Sequence, residues 1–356
     1  MGKGSYKKLK GSQNFRQRLI LATLSATPII IKGIRANDML PGLRLHEVSL
    51  LRLLEKISDD CVVKINETGT MVQYKPGILM GGRHLVHDCG ESRAIGYFLE
   101  PLLVLGLFSK KPLSIRLKEG LELKIESRGA PPHGGGEVLL SIPNIQSLTA
   151  VTWIDEGMVK RIRGVTFSTR VSSQFENTMI HSARGIFNHL LPDVHIFTDH
   201  KAGPQAGNSH IYSFNGSSPG YGISLVAETT SGCFISANTA VSYARAEDGG
   251  MEDEKGELMP PEDVGEQIAS VLLQEIEQGG VVDTAHQGLL FLLCALCPQD
   301  VSKIRVGKLI PHGIEVLKLI RDFLGVKFVI KPDPSTGTVI LKCVGSGLKN
   351  LSRKSS

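Results

Sequence analysis

The run Arg128-Gly129-Ala130-Pro131-Pro132-His133-Gly134-Gly135-Gly136-Glu137-Val138 carries the residue types of an anion-binding turn. The successive glycines Gly134, Gly135 and Gly136 accept positive φ at little steric cost. Two prolines stiffen the approach to them. Consecutive amide N–H groups in such a turn form a concave nest that holds phosphate. Arg128 would add a planar donor fork beside it. A glycine-rich hairpin turn with no ligand fits the same composition.

Other reactive residue types fail on spacing. A two-metal nuclease site needs several carboxylates converging on one cleft. Asp38, Asp88, Asp283 and Asp322 are available, but scattered. Cys294-x-x-Cys297 lies in an apolar helical segment with no second cysteine pair nearby, which favours core packing over metal. His84-x-x-His87 falls in a polar turn region. No catalytic residue, metal ligand or cofactor is assigned. Lys318, Arg321 and Lys327 flank the last helix, and read equally as RNA or partner contacts or as its solvated face.

The elements that must position these residues repeat along the chain. A first unit reads helix (14–24), strand (29–32), helix (46–57), strand (61–66), strand (70–75), with Val48, Leu51 and Leu54 marking one buried helix face. A second such unit runs from 284 to 343. Its final turn, Thr336-Gly337-Thr338, matches Thr68-Gly69-Thr70. A middle unit reads helix (94–105), strand (113–117), strand (121–126), strand (138–142). Only Lys118-Glu119-Gly120 separate its first two strands, too few for the crossover that parallel neighbours require. The middle unit therefore lacks a helix, and loss of a helix exposes one apolar sheet face. Reduced stability or partner-assisted folding is expected. The glycine run sits at the turn of this unit's last hairpin.

Residues 172–278 read differently. An amphipathic helix (Phe175 to Leu190), strands at 194–198, 223–227 and 234–237, and a helix at 262–277 describe a small inserted α/β domain. The polar, glycine-rich segment 201–222 reads as a mobile loop. The fold class is α/β (α+β): a repeat domain of 1–171 plus 279–356, and an inserted domain of 172–278.

The order of the motif residues is more specific than their composition. Arg128-Gly-x-x-Pro-x-Gly-Gly-Gly-Glu-Val resembles the signature of the RNA 3'-terminal phosphate cyclase family. Gly11-Ser12-Gln13-Asn14-Phe15-Arg16 is similar to its Gly-x-Gln-x-x-Arg, and Ile34-Arg35-Ala36 with Pro41-Gly42-Leu43 to its Ile-Arg-Ala…Pro-Gly-Leu. Lys75-Pro76-Gly77 with Gly81-Gly82, Gly164 to Ser172, and Ser218-Pro219-Gly220-Tyr221-Gly222 extend the match. The resemblance implies three repeated units with a domain inserted before the third. It is greatest to the cyclase-like eukaryotic branch, which implies small-subunit ribosome assembly without cyclase activity. It also implies pre-rRNA, a ribosome-assembly GTPase and small-subunit processome proteins as partners, and a nuclear, nucleolar location. Family members carry a helical segment where the middle unit is short, so this copy resembles a deletion or splice variant.

The resemblance also exposes what is missing. Cyclases pass AMP through a covalent histidine. The nucleophile position falls on Ile310, and His312 stands off register. The family's N-terminal acid falls on Leu9, the glutamine after Pro-Gly-Leu on His46, and an Asp-Gln pair on His286-Gln287. Gln13, Arg16, Arg35, Arg128 and Gly134–Gly136 remain, which reads as an anion cleft without its nucleophile. An active ATP-dependent cyclase and a pre-rRNA endonuclease are the competing readings.

Composition agrees with an RNA partner. In 356 residues the formal net charge is +5, with basic clusters at Lys3–Lys10, Lys160–Arg163 and Lys349–Lys354. Residues 247–263 read as a solvated acidic loop. No apolar run approaches the ~20 residues of a membrane helix. Six cysteines without framework spacing suggest free thiols.

Overall fold

The computed structural model describes residues 6–82, 85–90, 92–115, 122–127, 137–201, 219–242 and 259–350. Three of its sheets follow one plan. In the first unit β1 (Lys7–Lys10) leads into α1 (Phe15–Leu24), β2 (Ile29–Lys32) and α2 (Leu45–Ile57). The short β3 (Ser58–Asp59) follows, then β4 (Val62–Ile65), β5 (Met71–Lys75) and β6 (Ile78–Leu79), which pairs back onto β3. The sheet order is β1-β2-β5-β4, with β1 parallel to β2 and the other neighbours antiparallel. Ile29, Ile31, Val72 and Tyr74 alternate inward and are fully buried under the helices. On α2, Leu50, Leu51, Leu53, Leu54 and Ile57 form the buried stripe.

The middle unit has α3 (Gly96–Leu107), β7 (Leu113–Ile115), β8 (Glu122–Ser127) and β9 (Glu137–Ile142), in the order β7-β9-β8. Gly82 bridges Leu113 in parallel, the remnant of a leading strand. Thus β7 and β8 flank β9 as β2 and β4 flank β5. Among the described residues no helix lies between them, and residues 116–121 lie outside the described residues. So do Arg128 and Gly134–Gly136, most of the expected mobile loop, and most of the acidic loop.

The third unit begins with β10 (Thr152–Trp153), parallel to a strand more than a hundred residues later. Between them runs a second sheet system: β11 (Val159–Thr169), α4 (Gln174–Phe187), β12 (Val194–Lys201), β13 (Gly220–Thr229), β14 (Phe234–Ser242) and α5 (Pro261–Glu277), ordered β12-β11-β13-β14. The chain then returns through a 3-10 turn (Thr284–His286), α6 (Gln287–Leu296), β15 (Val301–Val306), α7 (Pro311–Leu324), β16 (Phe328–Asp333) and β17 (Thr338–Val344), ordered β10-β15-β17-β16. Sequence periodicity missed β1 and β10, four and two residues long, which close each outer sheet. It also left β11 outside the inserted domain, although that strand pairs along its length with β12 and β13.

Buried apolar side chains form two cores. The larger gathers α1, α2, α3, α6 and α7 against the repeated sheets. The smaller holds Ile162, Met179, Phe187, Tyr221, Leu225, Val264 and Leu272 between α4, α5 and their own sheet. Cys294 and Cys343 are buried in the larger core, and burial pushes both thiols up to about 12. Both lie among the apolar side chains of that core.

Candidate functional site

The first turns of four helices meet in the repeat core. Arg16 is the second residue of α1, His46 and Glu47 open α2, Tyr97 opens α3, and His286 precedes α6. Each helix start exposes unsatisfied N–H groups and carries partial positive charge. Side chains connect them. The Arg16 guanidinium pairs with Glu100, donates to the Tyr97 carbonyl at 3.2 Å, and lies 5.1 Å from the Tyr97 ring centroid. The His46 and Tyr97 rings meet edge to face at 5.1 Å.

Charges of both signs meet here. The pKa of His46 is held below its ordinary value chiefly by burial; Glu47 raises it, and Arg93, Arg35 and Arg44 oppose Glu47. Burial pushes the Tyr97 hydroxyl up to about 12. Two buried atoms lack a partner, Arg16 Nε and His46 Nδ1. An unpaired buried polar group costs free energy, so each of these two atoms favours an added hydrogen-bond partner.

The sequence-named residues divide. Arg16 and Arg35 lie here, and Gln13 is exposed in the turn before α1. Arg35 is a clamp rather than a free cation. It donates to both Glu47 oxygens at 2.7 and 2.8 Å and to the Gly42 carbonyl at 3.1 Å. Glu47, 4% exposed, also accepts from the Arg44 amide at 2.8 Å, which fixes the start of α2. Lys318 and Arg321 stand apart on the exposed side of α7, paired with Glu315 and Asp322. The Lys160–Arg163 cluster is neutralised by Glu228 and Asp193.

Sequence reasoning missed Tyr97 and Glu100, and it weighed Asp283 only as one of four scattered carboxylates. Asp283 is 3% exposed. It accepts from His286 Nδ1 at 2.7 Å and from the Ser236 amide and hydroxyl at 3.0 and 2.9 Å. Burial pushes its carboxyl up, yet those donors outweigh it and hold it below the usual range. The same hydrogen bond raises His286 above its ordinary value, and Glu100 adds to the effect. Spacing gave one usable signal, an acid three residues before a histidine at a helix start.

The nucleophile position gives the converse result. Ile310 precedes α7, and His312 is exposed in its first turn, beside Gly288. Among the described residues no group of His, Cys, Asp and Glu is placed to hold a metal ion. The four aspartates considered for a nuclease lie on separate elements: Asp38 beside Arg44, Asp88 capping Gly90, Asp283 under His286, and Asp322 at the end of α7.

A family model described as RNA 3'-terminal phosphate cyclase matches residues 7–121, and one for the insert domain of that cyclase matches residues 154–277. A probable RNA 3'-terminal phosphate cyclase-like protein of Arabidopsis thaliana is 63% identical over 380 residues, covering 98% of this chain and 99% of the relative. The chain belongs to the RNA 3'-terminal phosphate cyclase family. The human RNA 3'-terminal phosphate cyclase-like protein is 42% identical, covering 96% of each chain. The rRNA processing protein rcl1 of Schizosaccharomyces pombe is 39% identical, covering 99% of each. The insert-domain match spans β11 to α5, the elements of the smaller core. The Arabidopsis alignment has 380 positions against 356 residues here, so at least 24 positions of that cyclase-like relative have no counterpart in this chain.

Proposed function

We propose that this chain is a non-catalytic cyclase-like factor in small ribosomal subunit biogenesis, acting in early pre-rRNA processing toward 18S rRNA. Its relatives include a named rRNA processing protein, and the others carry cyclase-like names. The observation that carries the non-catalytic reading is Ile310. An aliphatic side chain cannot attack a phosphoanhydride, and the neighbouring His312 is an exposed helix-start residue. In this reading Arg16 and the helix starts around it serve as an anion site for RNA phosphate. Arg128 and Gly134–Gly136 belong to that site by the sequence signature alone, with Gln13 at its rim. Arg35 acts by holding α2 in place.

In this reading the protein works in the nucleolus, bound to pre-rRNA, processome proteins and an assembly GTPase. The proposed division is 1–171 plus 279–356 for the repeat units and 172–278 for the inserted domain, with the boundary moved back so that β11 joins the inserted sheet it pairs with. Crosslinking in cells, followed by identification of bound RNA and protein, tests the reading; recovery of no ribosomal precursor would sink it. Incubation with labelled ATP tests the cyclase alternative. Stable label on the protein, lost in His312→Ala, would establish catalysis instead.

A further inference from the structure

The outer face of the first sheet carries an uncompensated block of lysines. Strand alternation places nine side chains there: Lys8 and Lys10 from β1, Ile30 and Lys32 from β2, Met71, Gln73 and Lys75 from β5, and Val62 and Lys64 from β4. Five of the nine are lysine, all five are exposed, and no acidic residue occurs in these four strands. Register sharpens the point. Lys10 pairs directly with Lys32, and Lys8 shares a row with Ile30, Gln73 and Lys64. Like charges directly opposite on a sheet are destabilising. Among the described residues none of the five has an ion pair or a side-chain hydrogen bond.

The same chain neutralises cations elsewhere. On the sheet of the smaller core, Lys160 and Arg161 reach Glu228 across β13, and Arg163 reaches Asp193 with two bonds of 2.8 and 3.0 Å. On the third sheet Arg305 is tied to Asp333 at 2.9 Å, while Lys303 and Lys342 stand opposite one another with no ion pair among the described residues. Lys7, on the inner side of β1, is occupied by the Asp322 carbonyl and the Phe323 ring. Among the described residues the solvent face of the first sheet sets five such lysines together, against three (Lys303, Lys331 and Lys342) on that of the third.

We propose that this face is a docking surface for the phosphate backbone of folded RNA, distinct from the pocket around Arg16. The proposal rests on the reading of the chain as an RNA-binding factor. Four strands at ~4.8 Å spacing spread the charges over roughly 14 Å, enough to meet several phosphates at once. Lysine ammoniums on flexible stems act as point charges and suit phosphate without reading bases. The face bears no aromatic residue, so it offers no stacking platform for unpaired bases. Its apolar residues Ile30, Met71 and Val62 stand in three different rows, each beside a lysine. That pattern denies an acidic peptide the contiguous apolar anchor a protein interface uses. Recognition is therefore electrostatic and independent of sequence.

The test is fluorescence anisotropy with the full chain, a labelled RNA hairpin and a poly-glutamate peptide, across 50 to 300 mM salt. The variant is the triple Lys10→Thr, Lys32→Thr, Lys64→Thr, which keeps strand-forming side chains. Each lost phosphate contact lowers the salt slope by ~1. A slope smaller by ~2 to 3 and an affinity at least ~10-fold weaker near 0.1 M salt support the proposal, whereas Arg16→Ala, which removes at most one phosphate contact at the separate site, lowers the slope by ~1 or less. An unchanged slope in the triple variant overturns the proposal while leaving the RNA-binding reading intact. Loss of poly-glutamate binding with full retention of RNA binding assigns the face to an acidic protein, and also overturns it. A wild-type chain that binds no RNA at any salt sinks both. Thermal melting of the triple variant is expected at or above the wild-type midpoint, because repulsion is removed.

Discussion

Arg16 is held by a carboxylate that an incoming anion has to displace. Glu100 occupies one end of its guanidinium and the Tyr97 carbonyl another. Competition of this kind predicts opposite signs for two variants. Glu100→Gln should strengthen sulfate or phosphate binding several-fold, and Arg16→Ala should weaken it at least ~10-fold, the scale of a charged hydrogen bond; calorimetric titration with inorganic phosphate reads both. Arg35 behaves differently, because its partner Glu47 is buried. Glu47→Gln breaks that pair and the α2 cap together and should cost about 3 kcal/mol in urea unfolding, with little change in the salt dependence of RNA binding. His286 gives a pH signature. Its folded pKa lies above the ordinary value of 6.5. Its contribution is therefore fully present below 6.5 and is lost as pH rises through the raised value. Melting midpoints of wild type and His286→Asn should differ most near pH 6 and converge by pH 8.5. At this scale the sequence was half legible. Arg16 and Arg35 stand in recognisable motifs, but their carboxylate partners come from other elements, and no local spacing joins Arg16 to a glutamate more than eighty residues away.

A motif glycine and a missing helix show what elements add. Gly42, in Pro41-Gly42-Leu43, has φ +91, and a Cβ there would lie 2.4 Å from the Thr68 carbonyl oxygen. The loop into α2 thus rests on the β4–β5 turn, and that contact excludes any side chain. Gly337, at the equivalent turn of the third unit, has φ +69 but open space around it. Gly337→Ala should cost only the left-handed backbone, ~1 to 2 kcal/mol, whereas Gly42→Ala should cost clearly more; parallel chemical denaturation ranks the two. The repeat itself was readable because α2 and α7 bear strong apolar stripes at helical spacing. The leading strands were not, since four residues such as Lys7–Lys10 show no period that distinguishes a strand from a basic tail. The middle unit was readable by subtraction. From the end of β2 to the start of β4 the chain uses residues 33–61, and from β15 to β16 it uses 307–327, but from β7 to β8 only 116–121. The shortfall is comparable to the 24 or more positions by which the Arabidopsis alignment exceeds this chain. Ile125 pairs with Val138 on the face that also carries the buried Leu140, yet it is 45% exposed. A crossover helix would cover that side. Inserting an amphipathic helical segment of about that length between Ile115 and Glu122 should raise the melting midpoint by ~4 °C or more, the effect of burying one or two large apolar side chains.

Several described residues couple the two cores, and Asp283 is a buried one that hydrogen-bonds to both sides. The chain leaves the repeat core after β10 and returns just after α5, so the inserted sheet is tethered at neighbouring points. Glu156 accepts from the Gly280 amide at 2.5 Å, and Phe234 bridges Val282. Asp283 then joins Ser236 on β14 to His286 at the start of α6, and Glu100 lies close enough to His286 to raise its pKa. Hydrogen bonds therefore run from the inserted sheet through Asp283 to His286, and the charge of Glu100, which pairs with Arg16, acts on that histidine. Asp283 is buried, so removing it leaves the Ser236 donors and the histidine without their acceptor. Asp283→Ala should therefore loosen the joint more than either core. Where the wild-type cores melt together, the variant should show two resolved transitions in scanning calorimetry, with the smaller core unfolding first, because a core of that size buries less apolar surface per residue. The same variant should weaken phosphate binding by a smaller factor than Arg16→Ala, since it acts on Arg16 only through His286 and Glu100. A single unsplit transition, with phosphate affinity unchanged, would mean that the inserted sheet is only tethered to the cleft and does not support it.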